Sequence, residues 1–135
     1  MTEKKIVKIY YEGWGMDCCG DPIHIGDLLT DFDVGILHEG FSKPATKFGA
    51  DYYYDNHGNI GIPNEEQRTI EANVLSIQEY WQELREEKAV FVSTGLTLLR
   101  DVTVADRFPK SPGKSWRLNG FLIEVELLDE QPLEE

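Results

Sequence analysis

Cysteine is nearly absent from the chain: two residues in 135, and those two adjacent, Cys18-Cys19. A bond between neighbours would close a strained small ring, so no disulfide framework is expected, and reduced thiols point to the cytoplasm. Long apolar runs are missing too. Nothing approaches the roughly 18 consecutive apolar residues of a membrane-spanning helix. The N-terminal charges meet Ile6-Val7 and then Lys8 at once, which reads as the lead into a strand and not as a secretory leader. Positive charge is scarce: 13 Lys and Arg against 25 Asp and Glu leave a net charge of −12. That field repels phosphate and anionic lipid, so nucleic acid and membrane surfaces are disfavoured partners. Also missing are a Ser-His-Asp pattern, a phosphate-cradling glycine loop, HExxH and EF-hand spacing.

What is present suits a folded domain. Apolar residues make up 41% and aromatics 11% of the chain, and 135 residues can bury a core without disulfide or metal staples. With no repeat and no linker, residues 1–135 read as a single domain, with an acidic tail from about Asp129 expected to fray. The rare residues gather in Trp14-Gly15-Met16-Asp17-Cys18-Cys19-Gly20-Asp21-Pro22 and on through His24 to Gly26-Asp27, a loop punctuated by glycines. A second unusual stretch, Asp51-Tyr52-Tyr53-Tyr54-Asp55-Asn56-His57-Gly58, runs three aromatics into a turn.

Around these loops the pattern alternates with a period of two. Ile6, Val7, Ile9, Tyr10 and Tyr11 predict a first strand, and Phe32 and Val34 among aspartates a second. Ile70, Ala72 and Val74 mark a third; Ala89–Ser93 and the less regular Leu96–Ala105 follow. Phe121, Ile123, Val125 and Leu127 make the clearest strand of all, over Trp116–Leu128. Between them, Ile77, Tyr80, Trp81 and Leu84 fall at helical spacing behind a Ser76/Glu79 capping box. They predict one short helix over about residues 78–87, the alternative being a continued strand that turns at Glu86-Glu87-Lys88. About six strands, one short helix and no βαβ rhythm predict a mainly β fold, a small antiparallel β-barrel or sandwich.

Three chemical readings compete at the loops. Cys18, Cys19, His24 and His57 are ligand types that tetrahedral zinc accepts, although adjacent cysteines chelate one ion poorly. A reactive thiolate is opposed by Asp17 and Asp21, which raise a thiol pKa. The plain reading makes the cysteines small packing residues in a tight loop. His57 with Asp55 could serve as an oriented base or simply form a polar turn. Arg100, Arg107, Lys110, Lys114 and Arg117, interleaved with Phe108 and Trp116, form the one basic stretch; it could contact an anionic ligand or single-stranded nucleic acid, or simply balance the acidic tail of a strongly acidic chain.

The run W-x-M-x-C-C-G-x-P-x-x-x-G-D, here Trp14 to Asp27, resembles that of a family of small uncharacterised bacterial proteins, a domain of unknown function. Asn56-His57-Gly58 is similar to the family's His-Gly turn, Ala72–Ile77 to its middle strand and Gly120–Val125 to its last. The resemblance implies that the Cys-Cys-Gly loop and the His57 turn belong together in space; it supplies no activity.

These observations favour a non-enzymatic binding or interaction module for a protein or small-molecule partner. Its contact surface would be the 14–27 and 52–58 loops, with Trp14, Asp17, Tyr53, Asp55 and His57 as binding residues. The alternative is a metal-dependent or thiol-based enzyme with Cys18, Cys19, His24 and His57 around one site, zinc being its cofactor.

Overall fold

The computed structural model describes residues 5–12, 21–37, 48–54, 62–106 and 109–132, and three quarters of these lie in β-strands. In chain order the strands are β1 (Lys5–Glu12), β2 (Ile23–His24), β3 (Leu28–Ile36), β4 (Tyr52–Tyr54), β5 (Gln67–Glu87), β6 (Val90–Val102), β7 (Val104–Ala105) and β8 (Trp116–Pro132). β-Branched and aromatic residues dominate the buried positions of β1, β5 and β8, where they fit a pleated, half-enclosed surface.

Six strands form one sheet in the order β3-β4-β1-β8-β5-β6, and β3 also pairs with β5. That extra pairing joins five strands into a ring and leaves β6 outside it. A closed ring of five cannot alternate direction all the way round, so at least one pair must be parallel. It is β1 with β4, in register Ile9↔Tyr52 to Tyr11↔Tyr54. The sheet is therefore mixed and not the regular antiparallel barrel expected from the sequence, although the mainly β class holds.

The ring encloses the principal core. Val7, Ile9 and Tyr11 of β1 meet Phe121, Ile123 and Val125 of β8, with Val34 of β3 and Ile70, Ala72, Val74 and Ile77 of β5. The register sets Val7 opposite Val125, Ile9 opposite Ile123 and Tyr11 opposite Phe121, so the alternation read in each sequence segment becomes one shared interior. The intervening residues are not all in water. Tyr10, Tyr53, Tyr80 and Leu122 build a second cluster with Ile62, flanked by the half-buried Leu37, Phe48 and Ala50. Two glycines make room for it. A Cβ on Gly35 would lie 2.1 Å from Ile62 Cδ1, and one on Gly120 would lie 2.6 Å from the Tyr10 hydroxyl.

The helix expected over 78–87 is not there: this segment is the second half of β5, and the described residues contain no α-helix, only a 3-10 turn at Asn64–Glu66. The misleading spacing comes from one β-bulge and from burial on both faces. Buried positions on β5 run 70, 72, 74 and then 77, because the pairing with β8 leaves Leu75 as an extra residue between Val74 and Ser76. Beyond it Ile77 faces the ring while Tyr80 joins the second cluster, and Trp81 next to it is buried as well, so residues of opposite faces together imitate a spacing of three and four. Pairing with β6 to the end of the strand, and with β8 as far as Glu83, overrides the helix propensity of Glu83, Arg85, Glu86 and Glu87. The chain turns at Lys88-Ala89, both with positive φ, as the continued-strand alternative required.

The tail does not fray at Asp129. β8 continues to Pro132, with Asp129 to Pro132 set opposite Glu71 to Arg68. The Tyr52 hydroxyl donates to Glu130, whose other carboxylate oxygen lies 3.7 Å from Arg68 Nε.

Candidate functional site

Because β1 and β4 are parallel neighbours, both point to the same end of the sheet. The described chain stops there at Glu12 and at Tyr54, one residue out of line across the pair, since Tyr54 is opposite Tyr11. Trp14, Asp17, Cys18, Cys19, Asp55 and His57 lie outside the described residues. The sheet end from which their segments depart is aromatic. The Tyr11 and Tyr54 rings meet edge to face at 4.6 Å between centroids, and Phe32 stacks on Tyr54 at 4.2 Å.

Tyr53 is buried in the second cluster. Its ring supports the sheet from behind, and truncating it acts on stability. Tyr10, beside it, donates its hydroxyl to the Asn119 carbonyl at 3.1 Å. Burial pushes the Tyr10 pKa up, and Glu12, Tyr80 and Tyr53 push it further in the same direction. Tyr52 is raised as well, first by burial and then by its hydrogen bond to Glu130.

The far end of the cysteine-bearing segment is firmly seated. Gly26 takes a φ of +93°, a conformation that glycine adopts without steric cost. This lets its N–H donate to the Val74 carbonyl, while Val74 N–H donates to that of Asp27, both at 2.9 Å. Ile23 and His24 pair with Ala105 and Val104 as the small β2–β7 sheet. His24 is exposed. Its backbone N–H donates to Asp27 Oδ2 at 2.9 Å, and its Nδ1 lies 3.8 Å from the same oxygen. Among the described residues no group of three or more His, Cys, Asp or Glu side chains is placed to hold a metal ion. Of the four ligand types named above, only His24 is described.

One polar cluster escaped the sequence reading. Glu79 is buried, and its Oε1 accepts from Trp81 Nε1 at 2.9 Å and from Arg100 Nε at 2.8 Å, with the second guanidinium nitrogen 2.6 Å away. The guanidinium also sits 5.3 Å from the Trp81 ring centroid and donates to the Lys110 carbonyl. The available signal was the hairpin: folding residues 78–102 about Lys88-Ala89 puts Glu79 opposite Arg100. This arrangement satisfies a buried carboxylate and ties the hairpin to the 110 loop.

The basic stretch is correspondingly less available than its composition suggested. Arg100 is committed to Glu79, and Arg117 donates to the carbonyls of Lys114 and Trp116 while lying 5.8 Å from the Phe91 ring centroid. Arg107 and Phe108 lie outside the described residues.

Fold and sheet end together define a small, mainly β protein whose two unusual segments start from one end of a mixed sheet. Residues 5–127 match the profile of a family of unknown function, DUF6578, and the chain belongs to that family. No curated protein and no solved structure matches it. No helix among the described residues is long and apolar enough to cross a membrane.

Proposed function

We propose that the chain is a binding module, resident in the cytoplasm as a single domain, whose contact surface comprises the 14–27 and 52–58 segments. The observation that carries this reading is the parallel register Tyr11↔Tyr54, which starts the two segments side by side at one end of the sheet. Two further features support it. The departure point is floored by Tyr11, Tyr54 and Phe32, and the return point at Gly26-Asp27 is hydrogen-bonded to β5. Trp14, of the residue type most enriched among interface anchors, belongs to the first of these segments. The test is Trp14→Ala in an affinity pull-down, with thermal unfolding followed in parallel. Lost capture with an unchanged melting temperature supports the module; capture equal to wild type refutes it. Tyr53 is unsuited to this experiment, since it is core.

The same juxtaposition favours a second reading, a Cys18/Cys19/His57 site joined by His24, whose imidazole is open to an incoming ligand. Native mass spectrometry separates the two. One zinc per chain, lost on Cys18→Ser/Cys19→Ser, supports a metal site; a metal-free chain with two unreactive thiols leaves the cysteines as packing residues.

A further inference from the structure

The outer edge of β6 is the place where this molecule departs most from the usual design of a soluble sheet. β6 ends the strand order, so one edge pairs with β5 and the other has no strand beside it among the described residues. It is 13 residues long, well beyond the five or six of an ordinary strand. Soluble proteins protect such edges with charge, proline or very short strands. Here the run from Ala89 to Leu99 holds no charged residue and no proline, the longest uncharged run in a chain of net charge −12. Its side chains are not spent on the core: Val90 is 59%, Phe91 60% and Leu96 57% exposed, and Leu98 and Leu99 are each more than a third exposed. Phe91 has the Arg117 guanidinium near one ring face and is otherwise open.

From this edge we infer that the protein forms a homodimer, with β6 pairing antiparallel to β6 of a second copy about a two-fold axis. Charge selects the second copy as occupant. A basic foreign partner would be drawn to the acidic remainder of the surface, whereas two chains of −12 can approach only where each is uncharged. The pleat sets the register. A two-fold axis normal to the sheet keeps each side chain on its own face, and side chains directly opposite across an antiparallel pair share a face, so the axis must pass through a residue and not between two. Centred on Gly95, which has a φ of +88° and lies where the β5 register shifts, it sets Phe91 opposite Leu99, Val92 opposite Leu98, Ser93 opposite Thr97 and Thr94 opposite Leu96, with no charged residue among them. Centred on Thr94 it would set Lys88 against Arg100, like charge facing like, and centred on Leu96 it would set the apolar Phe91 and Val92 against Asp101 and Arg100.

Sedimentation equilibrium on the purified full chain tests this. The wild type is expected at twice 15.5 kDa at micromolar concentration. Leu96→Lys and, separately, Val90→Lys are expected as monomers with unaltered circular dichroism, both positions being exposed. Phe91→Asp is expected to abolish dimerisation, and the reciprocal pair Phe91→Asp/Leu99→Lys, which sets opposite charges across the two copies, to restore it in part. A wild type that stays monomeric at every concentration overturns the proposal and leaves the edge to a foreign strand. A dimer that tolerates both Leu96→Lys and Val90→Lys overturns it too, because the contact then lies on another face. A reciprocal pair that fails to restore affinity overturns the assigned register.

Discussion

The two halves of β5 belong to one uninterrupted strand and live in different surroundings. Its first half, Gln67 to Ile77, lies between β8 and β3, and the side chains of Ile70, Ala72, Val74 and Ile77 point into the ring. Its second half, Gln78 to Glu87, is paired with β6 along its length and with β8 as far as Glu83, yet beyond Trp81 no residue is buried. What differs is enclosure: β3 belongs to the ring and closes a space behind β5, whereas β6 continues the sheet outward with no element over it among the described residues. Strand pairing alone does not make a core. A second layer, or closure of the sheet on itself, is needed.

The sharpest way to break that contrast is to truncate one side chain in each environment. Phe121→Ala, inside the ring, is expected to cost about 3–5 kcal/mol, and Val90→Ala on the hairpin of the monomer less than about 0.5 kcal/mol, read from denaturant midpoints at constant m-value and at concentrations too low for dimerisation. Comparable losses at the two sites would mean that the hairpin is covered in solution.

The one place where the outer half does bury a polar group gives the next largest effect. Arg100→Ala strips the Glu79 carboxylate of its guanidinium. The expected loss is about 2–3 kcal/mol, below that of a fully enclosed pair because Arg100 is itself a third exposed. Adding Glu79→Gln in the same chain should recover at least half of it. No recovery would show that packing against Trp81, and not the stranded charge, carries the cost.

A smaller effect belongs to the enclosed half and its neighbours. Tyr10 and Tyr52 have pKa values raised by the fold, so the native state holds protons that the unfolded chain releases near pH 10. Their contribution is fully present below that pH, and stability falls as pH rises above about 10. Tyr10→Phe and Tyr52→Phe should each flatten this decline in urea titrations at pH 9 to 11. A slope unaltered in both variants would place the titrating groups elsewhere.

The sequence announced its strands wherever one face is buried. Val7, Ile9 and Tyr11, or Phe121, Ile123 and Val125, alternate without interruption because nothing shifts their register. It was misread where a bulge or a second partner intervenes, as at Ile77, Tyr80, Trp81 and Leu84. It was silent for β4, whose three tyrosines are held by β1 on one side and β3 on the other and carry no period of their own. The cysteine-bearing loop stood out by its rare residues, and the His57 turn by the tyrosines before it. Glu79 and Arg100 did not, for their meaning lies in facing each other across a hairpin.

By itself, then, the chain determined its β class, its acidity, the interior faces of β1 and β8 and the two unusual segments, since these depend on neighbours one or two residues apart. Closure of five strands into a ring, the parallel pair that an odd ring demands, and the burial of Tyr53 and Glu79 were decided only in three dimensions. Each depends on which distant strand arrives alongside, and that is set by packing the whole core at once.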